Sequence, residues 1–266
     1  MGEMLHYQME YGGKTLQEKL GDIEAASKNF PFYTFMRDIL EIGGYLLING
    51  LIHNDLHSAN IMMNKKFHPR LIDFGRSYYS RDITQDTLNG LAAEYAPGPG
   101  YSQITPECTV QDGLASGIPF STIIQDLIDR KDGLIYAERL FGQSRQKEVA
   151  EFKNFWATSK AVQQEDYLSF WSLYWPAVDA WAIGGVLASV INKLNNSSGL
   201  MQTKQWKAKA GLIQKIITGL LKASPRQRLD CMEALALYDP KNSVVLSASG
   251  KAWLEKKKAQ REKLSA

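Results

Sequence analysis

The chain has 266 residues, of which 44% are hydrophobic, 22% charged and 11% aromatic, and its formal net charge is +3. This composition is typical of a globular protein with a sizeable core and argues against disordered and fibrous classes. The small net charge does not indicate nucleic-acid or membrane binding over the whole surface. Because the two cysteines, Cys108 and Cys231, supply neither a zinc cage nor a disulfide framework, we expect a cytoplasmic protein. The longest apolar stretch, residues 177–191, is shorter than a bilayer needs, so we expect no membrane span.

The first part of the chain predicts short strands around one long helix. Residues 4–11 are predicted to form a strand, residues 15–20 a short helix, and residues 31–49 a long helix with one apolar face. Two short strands at residues 61–63 and 70–72 are predicted to pair as a β-hairpin.

The rest of the chain is predicted to be helical after a long loop. Residues 74–113 are rich in Gly, Pro and Ser, and a loop of this length is typically functional. Residues 114–175 are predicted to be mostly helical, and we expect their many aromatic side chains to pack into a core. An apolar helix over residues 176–192 is followed by a predicted linker at 193–199. Three further helices are predicted, at residues 212–222, 230–237 and 251–263, so the fold class is mainly α with a small β-hairpin.

Three oxygen-bearing side chains flank the predicted hairpin. Asn60 precedes its first strand, Asp73 follows its second, and Asp55 lies on the loop just upstream. The two ends of an antiparallel hairpin lie side by side, so we expect these side chains to converge. Their oxygen atoms suit Mg²⁺, whose remaining ligands would be substrate phosphates.

This segment resembles the catalytic loop and metal-binding motif of the protein-kinase superfamily, which have the forms His-x-Asp-x₄-Asn and Asp-Phe-Gly. By this resemblance Asp55 is the catalytic base that accepts the proton of the substrate hydroxyl. Asn60 and Asp73 are the Mg²⁺ ligands, and ATP is the phosphoryl donor. His53 braces the loop, and His57 stands beside the base in place of the usual lysine.

Further segments resemble kinase motifs in the same order. Residues 9–13 resemble the hinge between the two lobes, in which Met9, Glu10 and Tyr11 would hold adenine through the backbone. Thr105-Pro106-Glu107 resembles the motif that closes the activation segment, with Ala96-Pro97-Gly98 as a rival.

Two long-range contacts also follow from the resemblance. Asp179 lies in a segment that resembles the buried central helix of the large lobe, and its carboxylate would accept backbone hydrogen bonds from the catalytic loop. Arg228 would pair with Glu107. These residues are structural rather than catalytic, because a buried charge is costly unless it is paired.

The resemblance implies a kinase-like C-lobe over residues 14–250, with a helical insertion at about residues 114–175. Residues 1–13 would be the last small-lobe strand and the hinge, and residues 251–266 a basic helical tail. No Gly-rich loop or ATP-binding lysine precedes Met9 in the printed sequence. We therefore expect the small lobe to come from a protein partner or from sequence outside this chain.

Three functions remain open at this point. The chain is an atypical serine/threonine-kinase-like enzyme that uses Mg²⁺ and ATP, or an inactive pseudokinase lobe that acts as a scaffold in a larger assembly. A third reading is a small-molecule kinase, which His57 favours and the Glu107–Arg228 pair disfavours. The His-x-Asp-Leu-His form also resembles some kinase-like proteins of large DNA viruses, for which the location would be the host cytoplasm or the virion.

Two simpler readings stand beside these functions. His53 and His57 could ligate a metal as in a hydrolase, but such sites need more ligands than the sequence places nearby. The basic tail at residues 251–263 is predicted to be a solvated helix, and the alternative interpretation is that it binds an acidic partner or nucleic acid.

Overall fold

The computed structural model describes residues 13–21, 30–88 and 103–265. The strand predicted at residues 4–11, the hinge residues Met9, Glu10 and Tyr11, and the segment Ala96-Pro97-Gly98 lie outside these ranges. Within them the chain is mostly helical with few, short strands, as the sequence predicts.

The described strands are short and fall in the first third of the chain. They are β1 (Lys14–Thr15), β2 (Leu51–Ile52), β3 (Ile61–Met63), β4 (Pro69–Leu71) and β5 (Tyr78–Tyr79). Strands β1, β3 and β4 form one antiparallel sheet in that order, and β2 pairs with β5 in a second ladder. The sequence predicts the β3–β4 hairpin, but the β2–β5 ladder is new.

The helices begin before the hairpin and fill the chain beyond residue 105. They are α1 (Leu16–Gly21), α2 (Phe32–Ile48), α3 (Pro106–Ala115), α4 (Phe120–Arg130), α5 (Asp132–Phe141), α6 (Arg145–Thr158), α7 (Lys160–Gln163), α8 (Tyr167–Tyr174), α9 (Val178–Ser198), α10 (Lys204–Leu220), α11 (Cys231–Tyr238), α12 (Ser243–Leu246) and α13 (Ala248–Ser265). The predicted helices at residues 15–20 and 31–49 are confirmed as α1 and α2.

The start of α1 is fixed by a reciprocal cap and by a glycine. The Thr15 hydroxyl accepts a hydrogen bond from the Glu18 backbone N–H, and the Glu18 carboxylate accepts one from the Thr15 N–H. Gly13 has a φ of 101°, and a Cβ there would lie 2.3 Å from the Met63 carbonyl oxygen of β3. This glycine therefore serves the close approach of β1 to β3.

Helix α9 is the buried axis of the domain, and α2 and α11 pack together beside it. A Cβ on Gly43 of α2 would lie 2.6 Å from Ile183 of α9 and 2.7 Å from the Cys231 sulfur of α11. Only a glycine permits these three helices to approach so closely. Trp181, the largest fully buried side chain among the described residues, also lies on α9, and its ring faces Gly133 of α5.

The predicted linker at residues 193–199 is wrong, because α9 continues through Ser198. Ser197 and Ser198 donate their hydroxyl hydrogens to the carbonyl oxygens of Lys193 and Leu194, at 2.9 and 2.7 Å. These bonds satisfy the serine hydroxyls inside the helix, and the burial of Leu194 packs this last part of the helix against the core. Gly199, with a φ of 63°, then ends it in the left-handed conformation.

The aromatic side chains of α6 and α8 pack against one another, as expected from the sequence. Phe152, Phe155, Trp156 and Phe170 are buried, and the rings of Trp156 and Phe170 lie 5.8 Å apart in an edge-to-face arrangement. The terminal helix α13 also packs on the domain, since Trp253 Nε1 donates to Asp230 at 3.0 Å. The basic tail is therefore only partly solvated.

One apolar segment, Tyr167–Ser198, is long enough to cross a membrane by length and composition alone. It is broken at residues 175–177 by a 3₁₀ turn between α8 and α9. Most of its apolar window, 83%, is buried inside the protein, which is the pattern of a core helix.

Candidate active site

A carboxylate in the central helix holds the loop that carries the candidate base. Asp179, in the first turn of α9, accepts a hydrogen bond from the His53 N–H at 2.7 Å and from the Asn54 N–H at 3.0 Å. Asn54 has a φ of 63°, in the left-handed region that asparagine tolerates better than most residues. Asp179 therefore fixes a tight backbone turn immediately before Asp55.

Burial and hydrogen bonding act in opposite directions on Asp179. Desolvation raises the pKa of Asp179, and the two backbone N–H groups lower it again. The hydrogen bonds replace the water that a carboxylate loses when it enters a helix core.

His53 links the same loop to the hairpin. Its ring is fully buried and its Nε2 lies 3.0 Å from the Ile72 carbonyl oxygen. The Asp55 N–H donates to His53 Nδ1 at 3.4 Å, so the ring hydrogen is on Nε2 and points to Ile72. His53 thus contacts backbone on both sides, an arrangement suited to bracing and not to proton transfer with a substrate.

Asp55 and Asn60 lie together. The Asn60 amide nitrogen donates to the Asp55 carbonyl oxygen at 3.0 Å and to the Asp55 carboxylate at 3.2 Å. Both amide hydrogens are thereby directed at Asp55, which turns the Asn60 Oδ1 away from it. Gln103 Nε2 lies 3.4 Å from the other Asp55 oxygen and donates to it.

His57 lies at the edge of this cluster. Its Nδ1 accepts a hydrogen bond from the Ala59 N–H at 3.2 Å, so the ring hydrogen is on Nε2. Nε2 is 3.8 Å from an Asp55 oxygen, too far for a hydrogen bond but close enough for an electrostatic contact.

Asp73 stands at the end of β4, where the register differs by one residue from the prediction. Ile61 pairs with Leu71, and the Ile72 N–H donates to the Asn60 carbonyl oxygen at 3.1 Å, so Ile72 and not Asp73 lies opposite Asn60. Asp73 has a φ of 59° and is exposed, and its carboxylate accepts from the Gly75 N–H at 3.3 Å. Its convergence with Asn60 on one metal ion stays a prediction.

The oxygen donors fit a hard cation better than a transition metal. Within the described ranges, no three His, Cys, Asp or Glu side chains come together as a metal site. The two predicted ligands, the Asn60 Oδ1 and the exposed Asp73 carboxylate, would be a set that Mg²⁺ accepts if phosphates and water completed its shell.

The segment that ends at α3 is held by a buried ion pair. Thr105 caps α3, Pro106 occupies its first position, and Glu107 follows. Arg228 donates to both Glu107 oxygens at 2.8 Å. Its remaining hydrogens go to three carbonyl oxygens, those of Ala177, Lys222 and Ala223, so all five donors are used. Both side chains are fully buried.

Three polar residues near the site were not singled out from the sequence: Gln103, Asp112 and Lys131. Lys131 is fully buried between α4 and α5, where its Nζ donates to Thr109 at 3.1 Å, and burial lowers the pKa of Lys131 to about 7. Burial raises the pKa of Asp112 to about 7. Only the position of Asp112 could have been noticed in the sequence. It lies four residues after Cys108, so the two side chains share one face of α3.

Three curated proteins show partial similarity to the chain. A protein kinase and PP2C-like domain-containing protein from Oryza sativa subsp. japonica is 35% identical over 68 residues, which is 26% of this chain and 10% of that protein. The protein of the same description from Arabidopsis thaliana is 33% identical over 91 residues, or 34% of this chain and 14% of that protein. The probable serine/threonine-protein kinase mkcE from Dictyostelium discoideum is 28% identical over 135 residues, or 50% of this chain and 18% of that protein.

These matches support a relationship to the protein-kinase-like superfamily. They cover less than a fifth of each relative's length. No protein-family model matches the chain. All three relatives come from plants or a slime mould, so the resemblance to viral proteins receives no support from them.

Proposed function

We propose that this chain carries the catalytic loop of an atypical kinase-like phosphotransferase, which moves the γ-phosphoryl group of ATP to a hydroxyl. The observation that carries the proposal is the pair of hydrogen bonds from His53 and Asn54 to Asp179. They hold the backbone so that the Asn60 amide can donate a hydrogen bond to the Asp55 carboxylate. The partial similarity to kinase-like proteins adds support.

In the proposed reaction the acceptor hydroxyl oxygen attacks the γ-phosphorus. Its proton passes to an Asp55 carboxylate oxygen as the new P–O bond forms, and the bond from phosphorus to the β–γ bridging oxygen breaks, so that ADP leaves. Asn60 orients Asp55 through its amide nitrogen, and His57 Nε2 stabilises the charge on the base.

Magnesium would be held by Asn60 Oδ1 and the Asp73 carboxylate. When bound, it neutralises charge on the ATP phosphates. The exposure of Asp73 suits this role, since a metal ligand beside a large substrate must be reachable from solvent.

The rest of the ATP site is proposed to come from elsewhere. The hinge residues Met9, Glu10 and Tyr11 would meet the adenine, and a small lobe, from a protein partner or from sequence beyond this chain, would supply the lysine and Gly-rich loop. Catalysis of phosphoryl transfer is mostly positioning and charge stabilisation, so the chain alone is expected to turn over slowly.

One observation favours the scaffold as a second candidate. Both Asp55 oxygens accept hydrogen bonds from amide groups, those of Asn60 and Gln103. An active base must exchange one of these bonds for a substrate hydroxyl, whereas a pseudokinase lobe has no need to.

Binding and transfer of phosphate separate the two candidates. We expect Mg-ATP to raise the melting temperature of the chain, because a ligand that binds the folded state stabilises it. Transfer from γ-labelled ATP to a serine/threonine peptide library is measured on the chain and on the longest open reading frame that contains it.

Asp55→Asn is expected to abolish transfer and to keep the thermal shift, whereas Asp73→Asn loses both. The matched control is Asp129→Asn, an exposed carboxylate on α4. If neither form shows a thermal shift or transfer, the scaffold replaces the enzyme. Transfer that persists in Asp55→Asn would show that Asp55 is not the base.

A further inference from the structure

A cleft lies directly beside the candidate base. It has an empty volume of about 560 Å³, part of which opens to solvent. Its wall is mostly apolar and is formed by Tyr78, Leu88, Ile104, Trp171 and Val178. Trp171 belongs to α8, in the segment between the kinase-like motifs, and Val178 begins the central helix α9.

One wall of the cleft carries a carboxylate, that of Asp112. Asp112 of α3 lines the cleft, and none of the residues that the structure describes donates a hydrogen bond to its side chain. This differs from Glu107 on the same helix, whose two oxygens are both bonded to Arg228. An acidic group left without a donor in an apolar surrounding is a strong attractor for a cation or an N–H donor.

Two residues connect the cleft to Asp55. Gln103 lines the cleft and donates to the Asp55 carboxylate, and Asn54, the neighbour of Asp55 in the chain, lines it as well. A molecule seated in the cleft would therefore place its nearest atoms beside the candidate base.

The tryptophan in the cleft wall is held in place. Trp171 Nε1 donates to Gln111 Oε1 at 2.7 Å, and the ring is almost fully buried. The apolar wall is thus formed before any ligand arrives, which reduces the entropy lost on binding.

We propose that this cleft binds the phosphoryl acceptor through a side group with an aliphatic or aromatic body that ends in an amine. The body lies against Trp171 and the other apolar walls, and the ammonium group donates to Asp112. The assignment of the bound molecule as the acceptor rests on the proposed function, whereas binding of the amine does not.

The cost of keeping Asp112 at this place supports a binding role. Burial raises the pKa of Asp112 to about 7, although the charge of Lys131 acts in the opposite direction, so the ionised form is disfavoured until a cation binds in the cleft. The described residues thus leave the Asp112 carboxylate able to accept a hydrogen bond from a cation bound in the cleft.

The test uses two small probes of one shape, phenethylamine and its neutral analogue 2-phenylethanol. Binding to the chain at pH 8 is measured by titration calorimetry and by the indole resonance of Trp171. We expect phenethylamine to bind at least tenfold more tightly than 2-phenylethanol, a difference typical of one charge-assisted hydrogen bond.

Two variants and one control show which residues cause the preference for the amine. Asp112→Asn should bind both probes equally, Trp171→Ala should weaken both, and Asp129→Asn should behave as the wild-type chain. Because Asp112→Asn removes an unfavourable buried charge, it is expected to fold, and its denaturant midpoint verifies this. Equal binding of the two probes to the wild-type chain, or a preference that survives in Asp112→Asn, overturns the inference.

Activity is read separately, so that the two proposals fail independently. If the chain or its full reading frame transfers phosphate, phenethylamine should raise the KM for the peptide library and leave kcat unchanged. Amine binding without any transfer keeps the cleft as an amine site and rejects the enzyme. Transfer that phenethylamine leaves untouched rejects the cleft as the acceptor site.

Discussion

Two carboxylates near Asn54 differ in the hydrogen bonds that they receive from the fold. Asp179 on α9 accepts backbone hydrogen bonds from His53 and Asn54, one at each carboxylate oxygen, and these bonds hold the loop. Asp112 on α3 receives none from the part of the chain that the structure describes, and it faces a cleft. Both have a raised pKa because both are desolvated.

This difference indicates a structural role for Asp179 and a binding role for Asp112. A satisfied buried carboxylate contributes to a unique conformation, and its removal damages the fold. An unsatisfied one costs stability, and its removal should improve the fold and harm only what it binds. Substitutions at these positions, and at the fully satisfied Glu107, therefore have effects of opposite sign.

The largest effect is expected at Glu107. Glu107→Gln leaves Arg228 as an uncompensated buried charge, and we expect a loss of about 3–5 kcal/mol in the free energy of unfolding, measured in urea. The double variant Glu107→Leu/Arg228→Met removes both charges and should be less destabilised than the single variant. If the single variant unfolds at the wild-type midpoint, the ion pair does not hold α3 in place.

A smaller loss is expected at Asp179. Asp179→Asn keeps the shape but replaces one acceptor oxygen with an amide that faces a backbone N–H, at a cost of about 1–3 kcal/mol. Hydrogen exchange of the His53 and Asn54 amides should accelerate more than that of amides in α10. Unchanged protection of these two amides would contradict the anchoring of the loop by Asp179.

The smallest expected change is a gain, and it depends on pH. The folded-state pKa of Asp112 is about 7 against an ordinary 3.8, so the folded state binds the extra proton between these values. The contribution of Asp112 to the free energy of unfolding is therefore most favourable below pH 4, and it is lost as the pH rises through 7.

Asp112→Asn removes that loss. Urea unfolding at pH 8 should find the variant more stable than the wild-type chain by on the order of 1 kcal/mol, with the difference vanishing near pH 4. Asp129→Asn is the control and should show no such pH dependence. A variant that is destabilised at pH 8 would indicate a donor to Asp112.

The sequence predicts the two long-range contacts that pair a buried charge. Glu107 and Arg228 lie 121 positions apart, yet their pairing follows from a recognised motif and from the rule that such charges are matched. Asp179 follows in the same way, since a carboxylate within an apolar helix needs donors.

The remainder depends on tertiary structure. Residues 193–198 have the composition of a linker, but they continue α9, and Leu194 packs into the core. The one-residue shift that puts Ile72 opposite Asn60 arises from the β3–β4 register. Gln103 and Asp112 line the same cleft as Asn54, a tertiary arrangement that no local sequence pattern encodes.

The most direct test of the account asks whether Asn60 and Asp73 hold one divalent cation. Mn²⁺ accepts the same oxygen ligands as Mg²⁺ and broadens the NMR signals of nearby nuclei. In the presence of ATP, we expect Mn²⁺ to broaden the amide signals of Ile61 and Phe74 together, and to leave both sharp in Asp73→Asn. Broadening of only one of the two, or equal broadening in the variant, would contradict a shared metal site.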